Sequence, residues 1–144
     1  MHMKASGAVL LVACYELGHQ PLAVAWPAAF LERRGYARAV MDLSVEPFDT
    51  EKVTRARVVL ISVPMHTALR LGVKVAEGVR AVNATCRIVF YGLYATLNAE
   101  YLLARGADAV LAGEAESALV ALVERLEAGD RPHSVAPILE KLDF

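Results

Sequence analysis

The sequence predicts an α/β fold: a doubly wound, five-stranded parallel sheet in the order 2-1-3-4-5, sandwiched as three layers, α/β/α. Three observations predict it. Five short apolar runs recur along the chain, and stretches of helical period separate them. The runs are continuous rather than alternating, which is the pattern of strands covered on both faces. The second run is the shortest and most polar, so it suits an edge.

The elements follow in order. Ala8 to Cys14 is a continuous apolar run and reads as the first strand. Pro21 suits a first helical turn, Leu22 to Arg34 reads as the helix, and Gly35 closes it. Pro27 should bend that helix or delay its start. Ala37 to Leu43 is the second strand, bounded by Arg38 and Asp42. A polar stretch leads to a short helix near Glu51 to Ala56, and Arg57 to Val63 is the third strand. Ala68 to Val82 carries Leu71, Val75, Val79 and Val82 as a helical stripe. Cys86 to Tyr91 is the fourth strand, Asn98 to Arg105 a helix capped by Gly106, and Ala109 to Ala112 the fifth strand. Ser117 to Glu127 is the last helix, with Leu119, Leu122, Val123 and Leu126 facing inward. With no repeat or linker, one domain is expected over 1–130, followed by a C-terminal tail or the start of a linker over 131–144. This is a flavodoxin-like, or Rossmann-like, arrangement.

Composition narrows the function. The chain has 144 residues, 56% of them hydrophobic and 22% charged, with a formal net charge of -1. The 15 basic side chains form no run, so neither nucleic acid nor an anionic membrane is implied as a partner. No apolar run nears the roughly 20 residues of a bilayer span, and a cytoplasmic location is expected. Cys14 and Cys86 are too far apart in sequence for a metal knuckle or redox pair and read as small buried hydrophobes.

In such a sheet, ligands sit beyond the carboxyl ends of the strands. Four loops fall there: Tyr15 to Pro21, Ser62 to Thr67, Gly92 to Asn98, and Gly113 to Glu116. The first lacks the Gly-x-Gly-x-x-Gly of a dinucleotide site and the Gly-Lys-Ser/Thr of a P-loop. It also lacks the Ser and Thr of a flavodoxin phosphate loop. A phospho-receiver domain needs an acceptor aspartate ending the third strand; Ser62 stands there. What the loops hold is aromatic (Tyr15, Tyr91, Tyr94), small (Gly18, Gly92, Ala95, Gly113), hydroxyl (Ser62, Thr67, Thr96) and amide (Gln20, Asn98). Such a lining suits a bulky, mostly uncharged ligand rich in amide and hydroxyl groups.

Four strings carry a resemblance. They are Leu17-Gly18-His19-Gln20-Pro21, Ser62-Val63-Pro64-Met65-His66-Thr67-Ala68-Leu69-Arg70, Tyr91-Gly92-Leu93-Tyr94-Ala95-Thr96-Leu97-Asn98 and Gly113-Glu114-Ala115-Glu116. Through them the chain resembles the cobalamin-binding domain that precedes the catalytic barrel in cobalamin-dependent radical S-adenosylmethionine proteins. The resemblance implies a corrinoid over the rim, with its nucleotide tail in a slot beside the strands. Ser62 and Thr67 match the hydroxyls that meet the tail. Gly92 and Gly113 would let tail and ring pass close to backbone, and Leu93 and Tyr94 would lie against the corrin. Glu114 and Glu116 read first as caps of the last helix. The wider family often ligates cobalt through Asp-x-His-x-x-Gly; Glu16-Leu17-Gly18-His19 departs from that spacing. No protein ligand to cobalt is therefore expected, with His19 the alternative.

The radical branch also needs Cys-x-x-x-Cys-x-x-Cys, and two cysteines cannot supply it. The expectation is a binding module with no catalytic residues of its own, either the front domain of a larger enzyme or a free-standing carrier. It would present the cofactor to a radical S-adenosylmethionine domain or protein for methyl transfer. Two other readings stay open. One is a small α/β enzyme pairing His66 with Glu114 or Glu116 as acid and base, without a corrinoid. The other is a corrinoid-free interaction domain.

Overall fold

The computed structural model of the chain describes residues 5–14, 22–111 and 121–126, without the side chains of 22–26 and 38. The strands are β1 (Val9–Ala13), β2 (Arg38–Asp42), β3 (Val58–Ser62), β4 (Arg87–Tyr91) and β5 (Ala109–Leu111). Interleaved are α1 (Leu22–Arg33), α2 (Thr50–Arg55), α3 (His66–Val82), α4 (Leu93–Leu97) and α5 (Ala99–Ala104). Residues 121–126 are also helical. All pairings are parallel and the order is β2-β1-β3-β4-β5.

Strand side chains alternate between two cores, as the period of two requires. Val9, Leu11, Ala13, Val58, Leu60, Val89, Tyr91 and Leu111 face α1 and the 121–126 helix, whose Leu122, Val123 and Leu126 are buried. Leu10, Val12, Val59, Ile61, Ile88 and Phe90 face α2, α3, α4 and α5. Every residue of β1 and β3 is buried, which is why both read as unbroken apolar runs.

The edge position of β2 holds, although its five residues equal its neighbours and β5, with three, is the shortest strand. A lysine and two aspartates order the chain beside β2. Lys52 Nζ donates to Val40 O at 2.8 Å and to Glu46 Oε1 at 3.0 Å, covering open backbone at the edge. Asp42 accepts from Ser44 N at 3.0 Å, and Asp49 caps α2 by accepting from Glu51 N and Lys52 N.

Four sequence expectations are corrected. The start of α1 is not delayed, because the helix runs from Leu22 straight through Pro27. The α3 helix begins at His66 rather than Ala68, so His66 and Thr67 form its first turn instead of a loop. Its buried face is Ala68, Leu69, Gly72, Val73, Val75, Ala76 and Val79, whereas Leu71 and Val82 are exposed. The stripe Leu71, Val75, Val79 and Val82 runs along one margin of that face, and its two ends lie on the solvent side. Finally, residues read as a loop after the fourth strand form α4, and a break at Asn98 separates it from α5. Gly35 and Gly106 end their helices as expected, with φ of 86° and 100°.

Candidate functional site

The parallel register sets a last row of residues across the carboxyl rim: Asp42, Ala13, Ser62, Tyr91 and Leu111. Ala13, Tyr91 and Leu111 belong to the core on the α1 side, and Ser62 shares their row and therefore their face. Ala13 and Ser62 are adjacent in that row, and both side chains are small. Both are 1% exposed, so the centre of the row is formed by two small, covered side chains. Ser62 and Asp42 are the buried polar residues among those described.

Two connections rise from this row and are locked together. Val63 N donates to Tyr91 O at 2.8 Å, and Tyr94 N donates to Val63 O at 3.1 Å. Gly92 makes this interlock possible. Its φ is +107°, and a Cβ built on it would lie 2.7 Å from the Val63 carbonyl oxygen. Only glycine fits that conformation and that space. Among the described residues, the group that passes close to Gly92 is the Val63 backbone.

Polar side chains hold the short α4 helix in place. Thr96 Oγ1 donates to Gly92 O at 3.1 Å, and Asn98 Nδ2 donates to Tyr94 O at 2.7 Å. Asn98 Oδ1 remains as an acceptor. The His66 and Tyr94 rings meet edge to face, with centroids 6.3 Å apart. This places the first turn of α3 against α4.

The rim is uneven in exposure. His66 and Thr67 are exposed, Pro64, Met65 and Tyr94 are half-buried, and Leu93 is 63% exposed. Val63, Leu69 and Ala95 are buried in the core beneath. Segments 62–69 and 91–98 hold no Asp, Glu, Lys or Arg. These two segments therefore offer hydroxyls, one amide, one imidazole and apolar surface, while Asp42 stands at the β2 end of the row. Leu17, Gly18, His19, Gln20, Pro21, Gly113, Glu114 and Glu116 lie outside the described residues. So does the geometry of any pairing between His66 and Glu114 or Glu116. Sequence reasoning missed Ala13. The signal was there, because a 2-1-3-4-5 sheet sets the end of the first strand beside the end of the third.

Both cysteines are buried and free. Burial pushes the Cys14 thiol up to about 12. Burial, opposed by Arg80, raised by Asp108 and lowered by Arg87, also brings Cys86 to about 12. Neither is a thiolate near neutral pH. No group of three or more His, Cys, Asp or Glu able to hold a metal ion occurs among the described residues. Among the same residues no helix is long and apolar enough to cross a membrane.

Known proteins give this rim its context. A family model described as the B12 binding domain matches residues 8–123. The chain belongs to the B12-binding domain family. Its cofactor is cobalamin, and two described rim segments fit that molecule: 62–69 and 91–98 carry no charged side chain and offer hydroxyl, amide and apolar groups, which suits a corrin edged with amides. The family match supports a binding role for the chain. Nothing among curated protein sequences matches it. Among solved structures it is similar to a response regulator protein from Burkholderia pseudomallei, crystallised with a phosphorylated aspartic acid, calcium and citrate. The two are 22% identical with a TM-score of 0.56, over 84% of this chain and 71% of that one. That likeness concerns the fold alone; here β3 ends on Ser62, which has no carboxylate.

Proposed function

We propose that this chain holds cobalamin with the corrin over the carboxyl rim and the nucleotide tail entering at Ala13 and Ser62. The observation that carries this reading is the adjacency of those two small side chains in the last row of the sheet, between the loops that the family match covers. The Ser62 and Thr67 hydroxyls contact the tail. Val63, Pro64, Met65, His66 and Leu69 form and support one wall, and Tyr91, Gly92, Leu93, Tyr94, Ala95 and Asn98 the other. The loops holding Leu17 to Pro21 and Gly113, Glu114 and Glu116 complete the site. Exposed Leu93 lies flat against the ring system, and His66 stands at its edge beside Tyr94.

Cobalamin supplies a cobalt ion able to carry a methyl group. The chain's own residues bind the cofactor, orient it and leave its outer face open to a catalytic partner. A radical S-adenosylmethionine domain or protein suits that role, and the resemblance in the four rim strings supports it. Its iron–sulfur cluster must come from outside the 144 residues, whose two cysteines are both buried. The module comprises residues 1–130, with 131–144 leading onward, and it works in the cytoplasm.

Two variants of Ser62 test this placement. Ser62→Leu puts a bulky side chain where the tail would enter and should weaken cobalamin retention by about a hundredfold or more. Ser62→Ala keeps the side chain small, and losing one hydrogen bond should cost no more than about tenfold. A folded Ser62→Leu protein that retains cobalamin as the parent does would contradict this placement.

A further inference from the structure

The amino rim of the sheet, about 15 Å from the carboxyl rim along a five-residue strand, holds a cavity. It measures about 690 Å³ and lies between the α2–β3 connection (54–57) and the α3–β4 connection (83–87). Three arginines line it: Arg55, Arg57 and Arg87. No acidic residue occurs in either connection.

Cations at this rim have an ordinary task, because α2 and α3 end here and their last carbonyls carry partial negative charge. Other residues already perform it. Asn83 Nδ2 donates to Val53 O at 3.0 Å and to Ala56 O at 2.8 Å, which serves the end of α2. Arg80 Nη1 donates to Ala84 O at 2.9 Å and Cys86 O at 2.7 Å, which serves the turn after α3. Two arginines of the cavity are left over. Among the described residues, the side chains of Arg55 and Arg57 have no hydrogen-bond or ion-pair partner. Arg87 Nε is buried and has no acceptor. Its Nη1 comes only within 3.9 Å of Asp108. Ile88 N at 2.8 Å and Arg80 Nη2 at 3.3 Å both donate to Asp108 Oδ2, whereas Arg87 faces Oδ1. The two guanidinium groups free to take a ligand are those of exposed Arg55 and Arg57, with Arg87 beside them.

We propose that this cavity binds a compact polyanion, a small molecule carrying two or more linked phosphates. Guanidinium forks match phosphate oxygens in pairs, and three forks around one cavity suit a diphosphate better than a single anion. The volume lies within the range of small-molecule sites. The frame is stiff: Asn83 ties the two connections together, and Arg87 N donates to Arg57 O at 3.0 Å. No aromatic side chain lines the cavity, so recognition is by charge and geometry rather than by stacking on a base.

The test is calorimetric titration of the cobalamin-loaded chain with sodium pyrophosphate at about 0.15 M ionic strength, where bulk charge is screened, with citrate run in parallel. One saturable pyrophosphate site per chain is expected. Arg55→Gln and Arg57→Gln alter exposed side chains and should each weaken it about tenfold, the scale of one charge-assisted contact. Arg87→Lys keeps the charge but loses the fork, and should weaken it further. Each variant should retain cobalamin as the parent does. Three results would each overturn the proposal: no saturable binding at millimolar pyrophosphate, binding that the Arg55→Gln/Arg57→Gln double variant leaves unchanged, or citrate binding as tightly as pyrophosphate.

Discussion

Gly92 shows what one residue decides. Its backbone sits at φ +107°, ψ 171°, and its missing side chain makes space for the Val63 carbonyl. Gly92→Ala should therefore destabilise the fold by at least about 2 kcal/mol, whatever it does to cofactor binding. Thermal unfolding of the cofactor-free protein checks this, and a midpoint unchanged from the parent would contradict it. Because its effect is structural, Gly92 is a poor probe of the ligand, and Ser62 is the better one. The cysteines allow a prediction about pH. Their folded pKa values stand at about 12, above the ordinary thiol value, so folding favours the protonated form. The sign follows from linkage: their contribution is complete below the unfolded thiol pKa and is lost as pH rises from about 9 toward 12. Stability should fall across that window, and Cys14→Ala/Cys86→Ala should flatten the fall. Neither thiol should react with an alkylating agent at neutral pH on the timescale in which the unfolded chain reacts fully.

Elements were legible where their sequence served one purpose. The buried strands announce themselves because both faces are covered, so every position is apolar. The α4 helix was not legible. Leu93 to Leu97 is a five-residue helix with one buried position, Ala95, so it has no stripe to detect. Its hold is local and tertiary, through Tyr94 N on Val63 O and the Thr96 and Asn98 bonds to backbone. The first turn of α3 was missed for a related reason. His66 and Thr67 are exposed and polar, and the N-cap Met65 makes no side-chain cap bond. Asn83 is the matching device at the other rim. Asn83→Ala removes a side chain that serves two carbonyls at the end of α2, and should cost about 1–3 kcal/mol. Chemical denaturation checks that value, and cobalamin retention in the folded variant should stay as in the parent, since the residue lies at the opposite rim.

The whole molecule assigns different chemistry to its two rims. At the carboxyl rim the interlocked 63 and 92 turns and the uncharged 62–69 and 91–98 segments form the surface on which we propose that cobalamin is held. At the amino rim the helix ends collect arginines. The fold was legible because strand order follows from few facts: parallel crossovers and a polar edge strand. The candidate rim was readable only as loops and side-chain types, and the adjacency of Ala13 and Ser62 needed the register, which no single loop contains. One measurement tests the central claim most directly. The purified chain is incubated with hydroxocobalamin, freed of unbound ligand and examined by ultraviolet–visible absorption. Retained corrin absorbance of about one per chain is the expected result. No retained corrin, with methyl- and adenosylcobalamin failing as well, would contradict the account.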